Sequence, residues 1–298
     1  MPAMHRALSL LDAPTDLGLR RPDPSRPVGC VRLPEALRAH GIAERLGARD
    51  EGAVPVPPYD PRKDPDLGVL NPRAVAFFSI TLANHLSPIL DAHRFPIVLG
   101  GDCSITLGAS LALRRRGRYG MLFLDGHTDF YTPATSGTGG VAGMDLAIIC
   151  GRGPELLTDL EGRAPLLRES DAVLFGHRDV EESQTYGGTT TGSAITDWTL
   201  DAIRERGLYD ATRAALMQLA VLDGFWIHVD ADVLDDDEMP AVDSRQPGGM
   251  RMAELTEILK YALASPKCVG LDLAIFDADQ DPDGSIAGRL TDAIVDAF

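Results

Sequence analysis

The sequence has few cysteines and a shortage of basic residues, and each shortage excludes a class of protein. Four cysteines in 298 residues stand far apart with no CxxC pair, which argues against a zinc ribbon and against a disulfide framework. Lysine and arginine number 28 against 44 acidic residues, for a formal net charge of −16. Such a chain repels phosphate backbones and anionic lipid, so neither nucleic acid nor a membrane surface is an expected partner.

Long apolar runs are also missing. Nowhere do about 18 apolar residues follow one another, which is the length that a membrane helix needs. Near the N-terminus, Asp12 and Pro14 interrupt the one apolar stretch, so we expect neither a signal peptide nor a membrane span. Reduced thiols in a cytoplasmic protein are the simplest interpretation of the scattered cysteines.

Short apolar runs alternate with amphipathic stretches along the whole chain. Five runs are almost continuously apolar, which is typical of strands buried on both faces: residues 95–100, 119–125, 171–176, 225–230 and 268–276. Helical patterns lie between them, and the glycine- and proline-rich stretches are flanked on both sides by strand candidates. The alternation predicts an α/β fold with a mostly parallel central sheet in a three-layer α/β/α arrangement, as a single domain over residues 1–298.

Polar clusters come directly after four of these strands: 101–104, 125–129, 177–179 and 230–232. The carboxyl ends of parallel strands meet at one edge of a sheet, where ligands bind. Within the first cluster, Asp102 has two possible roles that the sequence leaves open: it can face this edge, or it can serve as a turn residue or helix N-cap.

Five residues in two of the clusters alternate along the chain: Asp125, His127, Asp129, Asp230 and Asp232. Alternation lets each set project to one side of an extended backbone. Carboxylates crowded into a low-dielectric cleft resist joint ionisation, whereas a divalent cation makes the same cluster favourable. Any one of these residues alone would be a turn or core residue, but the joint pattern predicts a metal site.

Cys103 also follows a strand, in the glycine-rich segment that precedes a helical pattern. A free cysteine most often behaves as a small buried hydrophobe. At this strand end we interpret it as a sixth metal ligand.

Three segments in the same order resemble the ureohydrolases, the family that includes arginase, agmatinase, guanidinobutyrase and formimidoylglutamase. VLGGDCSITLG is similar to the family's GGDHS segment, LDGHTDFYTP to its DAHxD segment, and HVDADVLDDDEMPAVDSRQPGG to its DxDxxDP segment. Weaker similarities extend over almost the whole chain. The resemblance implies an arginase-like α/β/α domain that assembles as homotrimers or hexamers and acts on a small molecule.

The resemblance also implies a cofactor of two divalent metal ions, manganese in the family. Their ligands would be Cys103, Asp125, His127, Asp129, Asp230 and Asp232, with Asp125 and Asp230 bridging. Two cations flanking one water produce a bridging hydroxide that attacks an amidine or guanidine carbon. Asp129 would be the catalytic residue that takes the remaining proton and delivers it to the leaving amine.

The chain departs from the family at the metal site and at the guanidinium site. Cys103 stands where the family has histidine, so a hard cation would meet a soft thiolate, and we expect altered metal selectivity. Ile275 stands where the family has a glutamate that binds the guanidinium. Asp277, two residues later, is either its substitute or a turn residue.

The residues implied for amino acid recognition are only partly kept. Thr138 matches a serine of arginases and Glu181 falls at the acid that meets the substrate's amino group, but Ala142 replaces a histidine. Thr138, Glu181 and Asp277 are therefore the candidate substrate-binding residues, and arginase in the strict sense is disfavoured.

The resulting hypothesis is a metal-dependent hydrolase that cleaves a linear C–N bond in a guanidino, hydroxyguanidino or formimino compound. One alternative is a non-catalytic protein of the same fold that binds a ligand or serves as an assembly subunit. Another is a mononuclear metal amidohydrolase, which follows if Cys103 does not bind metal.

Overall fold

The computed structural model of the protein describes residues 6–298 and contains one eight-stranded sheet. Residues 1–5, which belong to the segment considered above for a signal peptide, lie outside this range. The strands are β1 (Leu8–Ala13), β2 (Arg49–Ala53), β3 (Phe95–Gly100), β4 (Tyr119–Leu124), β5 (Ala172–Phe175), β6 (Thr196–Trp198), β7 (Gly224–Asp230) and β8 (Cys268–Ala274). They lie in the order β2-β1-β3-β8-β7-β4-β5-β6, and every neighbouring pair is parallel.

Helices flank this sheet, so the predicted fold class is confirmed. They are α1 (Leu33–Ala39), α2 (Ile42–Leu46), α3 (Pro72–Asp91), α4 (Ile105–Arg114), α5 (Asp145–Ile149), α6 (Glu155–Thr158), α7 (Val180–Tyr186), α8 (Leu200–Arg206), α9 (Leu208–Leu219), α10 (Met252–Leu263) and α11 (Ser285–Ala297). Within residues 6–298, none of these helices combines the length and apolarity that crossing a bilayer requires.

Burial explains which strands were evident from the sequence. Every residue of β3, β5 and β7 is buried, and these strands coincide with continuous apolar runs. The strands at the two edges of the sheet, β2 and β6, are short and polar, and no residue of either is buried. Because an edge strand needs no apolar run, the sequence did not indicate them.

The strand order opens a crevice at the carboxyl edge of the sheet. The chain passes from β3 through α4 to β4, yet β8 and β7 lie between those two strands in the sheet. The connection from β4 runs outward to β5, whereas the connection from the adjacent strand β7 runs the opposite way to β8. Such divergence at neighbouring strand ends creates a ligand site in open α/β sheets. β7 ends in the predicted ligand Asp230, and Cys103, Asp125 and Ile275 follow within three residues of the ends of β3, β4 and β8.

Gly101, directly after β3, is required by close packing of backbones. A Cβ atom there would lie 1.7 Å from the carbonyl oxygen of Thr15. The amide of Asp102 donates to that same oxygen at 2.9 Å, and the amide of Ile275 donates to the Gly101 carbonyl at 2.7 Å. The atoms that crowd this position belong to the backbone and cannot move aside as the end of a side chain could. The junction of β1, β3 and β8 therefore admits only glycine.

We expect Gly101→Ala to lower the free energy of unfolding by about 2 kcal/mol, since the backbone must shift to accept the methyl group. Urea unfolding of parent and variant measures this. Gly137→Ala is the matched control, because nothing lies within 4 Å of a Cβ built at that position. Equal losses of stability in the two variants would contradict the packing argument.

Candidate metal centre

A cleft of about 470 Å³ opens at the carboxyl ends of β3, β4, β7 and β8. Five of the six predicted ligands line it: Cys103, His127, Asp129, Asp230 and Asp232. The sixth, Asp125, is fully buried in the wall behind them. The structure therefore brings the predicted ligands together at the sheet edge where the strand order opens a crevice.

Two groups of potential donor atoms share Asp125. Within each group the donor atoms lie within 4.8 Å of one another. The first, which we call the thiolate group, consists of Cys103, Asp125, His228 and Asp230. The second, which we call the imidazole group, consists of Asp125, His127 and Asp232. All four members of the thiolate group are buried. A residue common to two adjoining groups is suited to bridging two cations.

The thiolate group has polar atoms that the protein itself leaves unsatisfied. Oδ1 of Asp125 accepts from the amide of His127 at 2.6 Å, but Oδ2 has no hydrogen-bond partner among residues 6–298. The Cys103 thiol donates to Asp230 Oδ2 at 2.8 Å. Burial, with nearby carboxylates, raises the pKa of Asp125 and of Asp230 well above the usual range. Such a cluster fits a cation, which would favour the deprotonated donors.

The imidazole group holds a charged pair. Nδ1 of His127 lies 3.0 Å from Asp232 Oδ2. Burial alone would lower the pKa of His127, but Asp232 and Asp125 outweigh it and raise the pKa to about 10. The pKa of Asp232 is lowered, since His127 outweighs the opposing effect of burial. A proton thus takes the place that a cation would occupy between these side chains.

Asp129 belongs to neither group. Its backbone has a positive φ of 44°. Its carboxyl is paired with the buried Asp145 carboxyl, whose Oδ2 accepts from the Thr106 hydroxyl at 2.6 Å. Burial, followed by the proximity of Asp145, raises the pKa of Asp129 well above normal. Both carboxyls of the pair therefore resist ionisation beside the cleft.

The cluster at the end of β5 supports the site without lining the cleft. The His177 ring lies between Asp179 and Asp197, with Nδ1 and Nε2 at 3.1 and 2.6 Å from their carboxylates. Oδ2 of Asp179 in turn accepts from the amide and hydroxyl of Thr128, at 3.1 and 2.9 Å. These contacts fix the segment between His127 and Asp129.

Arg178 and Asp102 also have structural roles. The Arg178 guanidinium donates to the carbonyl oxygens of Asp232 and Gln246, at 2.9 and 2.8 Å, and so anchors the segment that carries Asp232. Asp102 accepts from its near neighbour Ser104 through the amide at 2.8 Å, and from the Gly18 amide at 3.0 Å. Of the two roles left open for Asp102, the structure favours the turn residue.

The candidate substrate residues are divided between the cleft and its surroundings. Thr138 lines the cleft. Glu181 does not, whereas the following residue, Glu182, does. Asp277 is buried away from the cleft, where Oδ1 accepts from the Asp279 amide at 2.8 Å in a turn. The structure therefore favours the turn role that the sequence left open for Asp277.

Ile275 stands at the position where the family resemblance implies a glutamate. It lines the cleft and is 4% exposed. Its φ of 71° is unfavourable for a β-branched residue, and this backbone reversal ends β8 two residues before the apolar run does. The wall of the cleft is thus apolar at the position where the resemblance predicts a carboxylate.

Several residues in the cleft or buried behind it were not anticipated from the sequence. His228 has a signal that was overlooked, since H-V-D-A-D alternates in the same way as D-G-H-T-D. Asp145 gave no comparable signal, because its proximity to Asp129 depends on the fold of the long intervening loop. Asp243 and Ser244 also line the cleft, and the Ser244 hydroxyl lies 3.2 Å from His127 Nε2.

Known proteins share this architecture over nearly the whole chain. A model of the arginase family matches residues 13–298. The arginase of Bacillus subtilis (strain 168) is 30% identical over 257 residues, which is 84% of this chain and 83% of that protein. The crystal structure of arginase from Bacillus caldovelox superposes with a TM-score of 0.84 at 25% identity, and that of formimidoylglutamase from Bacillus subtilis with 0.73 at 20% identity. Both superpositions cover 98% of this chain, with 98% and 86% of the respective partners.

Proposed function

The chain belongs to the arginase family, as its three motifs predicted, and we propose that it uses two metal ions to hydrolyse a linear guanidino, hydroxyguanidino or formimino compound. It is a ureohydrolase-type enzyme that acts on C–N bonds of linear amidines, with a small molecule as substrate.

The observation that carries the proposal is the pair of donor groups joined by Asp125. One carboxylate shared between them, with Oδ2 unpartnered in the described part of the chain, is suited to holding two cations side by side. We propose that Asp125 and Asp230 would be shared by the two ions, that Cys103 and Asp129 would complete one ion, and that His127 and Asp232 would complete the other. Mn²⁺ suits the imidazole group, whose donors are two carboxylates and one imidazole.

When bound, the two cations would lower the pKa of water in the cleft and stabilise negative charge on the reacting carbon's substituents. The chain's own contribution is proton transfer at Asp129. Because burial and the neighbouring Asp145 raise the pKa of Asp129, this carboxyl binds a proton readily and can pass it on. We therefore propose Asp129 as the residue that protonates the leaving amine, with Asp145 as its positioning residue.

The cleft favours a cationic substrate. Acidic residues outnumber basic residues in the lining of the cleft, and the acidic residues that are exposed to solvent are Glu182 and Asp243. Amidines and guanidines are cations at neutral pH, so an acidic entrance attracts them. Since Ile275 offers no carboxylate, we propose that Asp243 takes over recognition of the substrate's positive charge.

A substrate panel tests the enzyme assignment. Metal-loaded protein is incubated with guanidino, hydroxyguanidino and formimino compounds, and urea, amine and formamide are measured together. We expect metal-dependent release of urea or formamide from one subset. Asp243→Asn should raise KM for a cationic substrate about tenfold with little change in kcat, as expected for loss of an interaction made equally in the ground state and the transition state. No product from any compound would contradict the proposal.

Metal stoichiometry separates this proposal from the mononuclear alternative, with two ions per chain expected and one ion favouring the alternative. Following the family resemblance, we also propose homotrimers or hexamers, which light scattering of the loaded protein would detect. A cytoplasmic location is proposed on the basis of the four cysteines, all of which are buried with free thiols.

A further inference from the structure

His228 lies within β7, two residues before the bridging candidate Asp230 and therefore on the same face of the sheet. The residue is 0% exposed. Its ring packs on Phe123 of the neighbouring strand, with 4.4 Å between ring centroids. Nε2 of His228 has no hydrogen-bond partner in residues 6–298, although a buried ring nitrogen normally has one.

The other ring nitrogen is held in a fixed hydrogen bond. Nδ1 of His228 pairs with Oδ1 of Asp272, the residue directly opposite it on β8. The second oxygen of Asp272 accepts from the indole of Trp226, so the carboxylate itself is fixed. A carboxylate that accepts from one imidazole nitrogen places the proton there and leaves the lone pair on the other nitrogen. The lone pair of His228 is therefore on Nε2.

A donor atom of His228 lies within 4.8 Å of donors from Cys103, Asp125 and Asp230. We propose that His228 is a ligand of the metal ion held by Cys103, so that the thiolate group would supply one sulfur, one nitrogen and two carboxylate donors. The inference rests on the proposed two-metal function. It adds that a histidine on β7, two strands away from β3 in the sheet, replaces the histidine missing at position 103.

This donor set has consequences for the choice of metal. A donor set that includes one thiolate and one imidazole would suit Zn²⁺ or Co²⁺ better than Mn²⁺. The imidazole group lacks sulfur and retains the preference for harder cations. We therefore infer that the two halves of the centre differ, with a zinc-type ion in the thiolate group and a manganese-type ion in the imidazole group.

Cobalt-loaded parent protein tests the ligand without any mutation. Each imidazole bound to Co²⁺ gives one strongly shifted, exchangeable N–H proton signal in the NMR spectrum. We expect two such signals, from His127 and His228, together with a thiolate-to-cobalt absorption band from Cys103. Metal bound with a single shifted imidazole signal would overturn the assignment of His228 while leaving the proposed function standing.

Affinity measurements provide the second readout. We expect His228→Gln to weaken Zn²⁺ binding by at least a hundredfold and Asp272→Asn by roughly 10- to 100-fold, the range for loss of an orienting partner. Mn²⁺ binding to the imidazole group should change little. His85→Gln is the control, because that ring bonds to the Thr81 carbonyl on α3. Unchanged Zn²⁺ affinity in His228→Gln would overturn the inference, whereas a parent protein that binds no metal would overturn the proposed function as well.

Discussion

Asp125→Asn is expected to abolish metal-dependent stabilisation and to reduce hydrolysis by about 10³-fold, or roughly 4 kcal/mol of transition-state stabilisation. Asp125 belongs to both donor groups, so its replacement disturbs both ions at once. An asparagine offers one neutral oxygen and an N–H donor, which cannot bridge two cations. The loss should appear in metal content after dialysis and in the substrate panel.

The metal-free form of the same variant should be more stable than the metal-free parent at neutral pH. Burial, Asp129 and Asp232 raise the pKa of Asp125, so folding above about pH 4 requires either a buried charge or proton uptake. Asparagine requires neither. Melting curves with and without added metal measure both effects, because each kcal/mol of unfolding free energy shifts Tm by roughly 2 °C.

Asp171→Asn is the control for removing a buried aspartate away from the cleft. Asp171 is 2% exposed and accepts from the Arg118 guanidinium through two bonds of 2.7 Å. Its replacement should destabilise the protein with and without metal and preserve the metal response. Parent-like metal content and activity in Asp125→Asn would refute the bridging role.

The strand-end acids were predictable because they combine two local signals. Each follows a continuous apolar run, which marks a buried strand, and each alternates with period two, which marks one side of an extended backbone. Asp125 and Asp230 could therefore be placed at one sheet edge without knowledge of the strand order. The helices around the central strands were predictable for the same reason, since their periodicity is local.

What the sequence did not reveal depends on contacts between distant segments. The sequence around His228 indicates only an apolar strand, and the register of β7 with β8 is what places Asp272 opposite His228. Asp145 meets Asp129 because α5 follows a loop whose path has no periodic signal. Asp277 lay within reach of the cleft by spacing alone, but the positive φ of Ile275 turns the chain away. These are tertiary effects that no local pattern encodes.

The ion pairs of His177 with Asp179 and Asp197 are expected to add to the free energy of unfolding, and this contribution should disappear at alkaline pH. Burial acts to lower the pKa of His177, but Asp179 and Asp197 outweigh it and raise the pKa to about 9, against 6.5 for the free side chain. Because the folded-state pKa is the higher one, this stability is complete below about pH 6.5 and is lost as pH rises through 9. A shift of this size corresponds to about 3 kcal/mol.

Urea unfolding of parent and His177→Gln at pH 6.5, 8 and 9.5 measures the contribution. Glutamine carries no charge, so the stability difference between the two proteins should be largest at pH 6.5 and shrink by about 3 kcal/mol toward pH 9.5. His85→Gln, which alters a histidine bonded to a helix carbonyl, provides the comparison. A pH-independent difference for His177→Gln would mean that the ring is neutral between its two carboxylates. In that case Asp179 would hold Thr128, and with it the segment between His127 and Asp129, without the help of a charged partner.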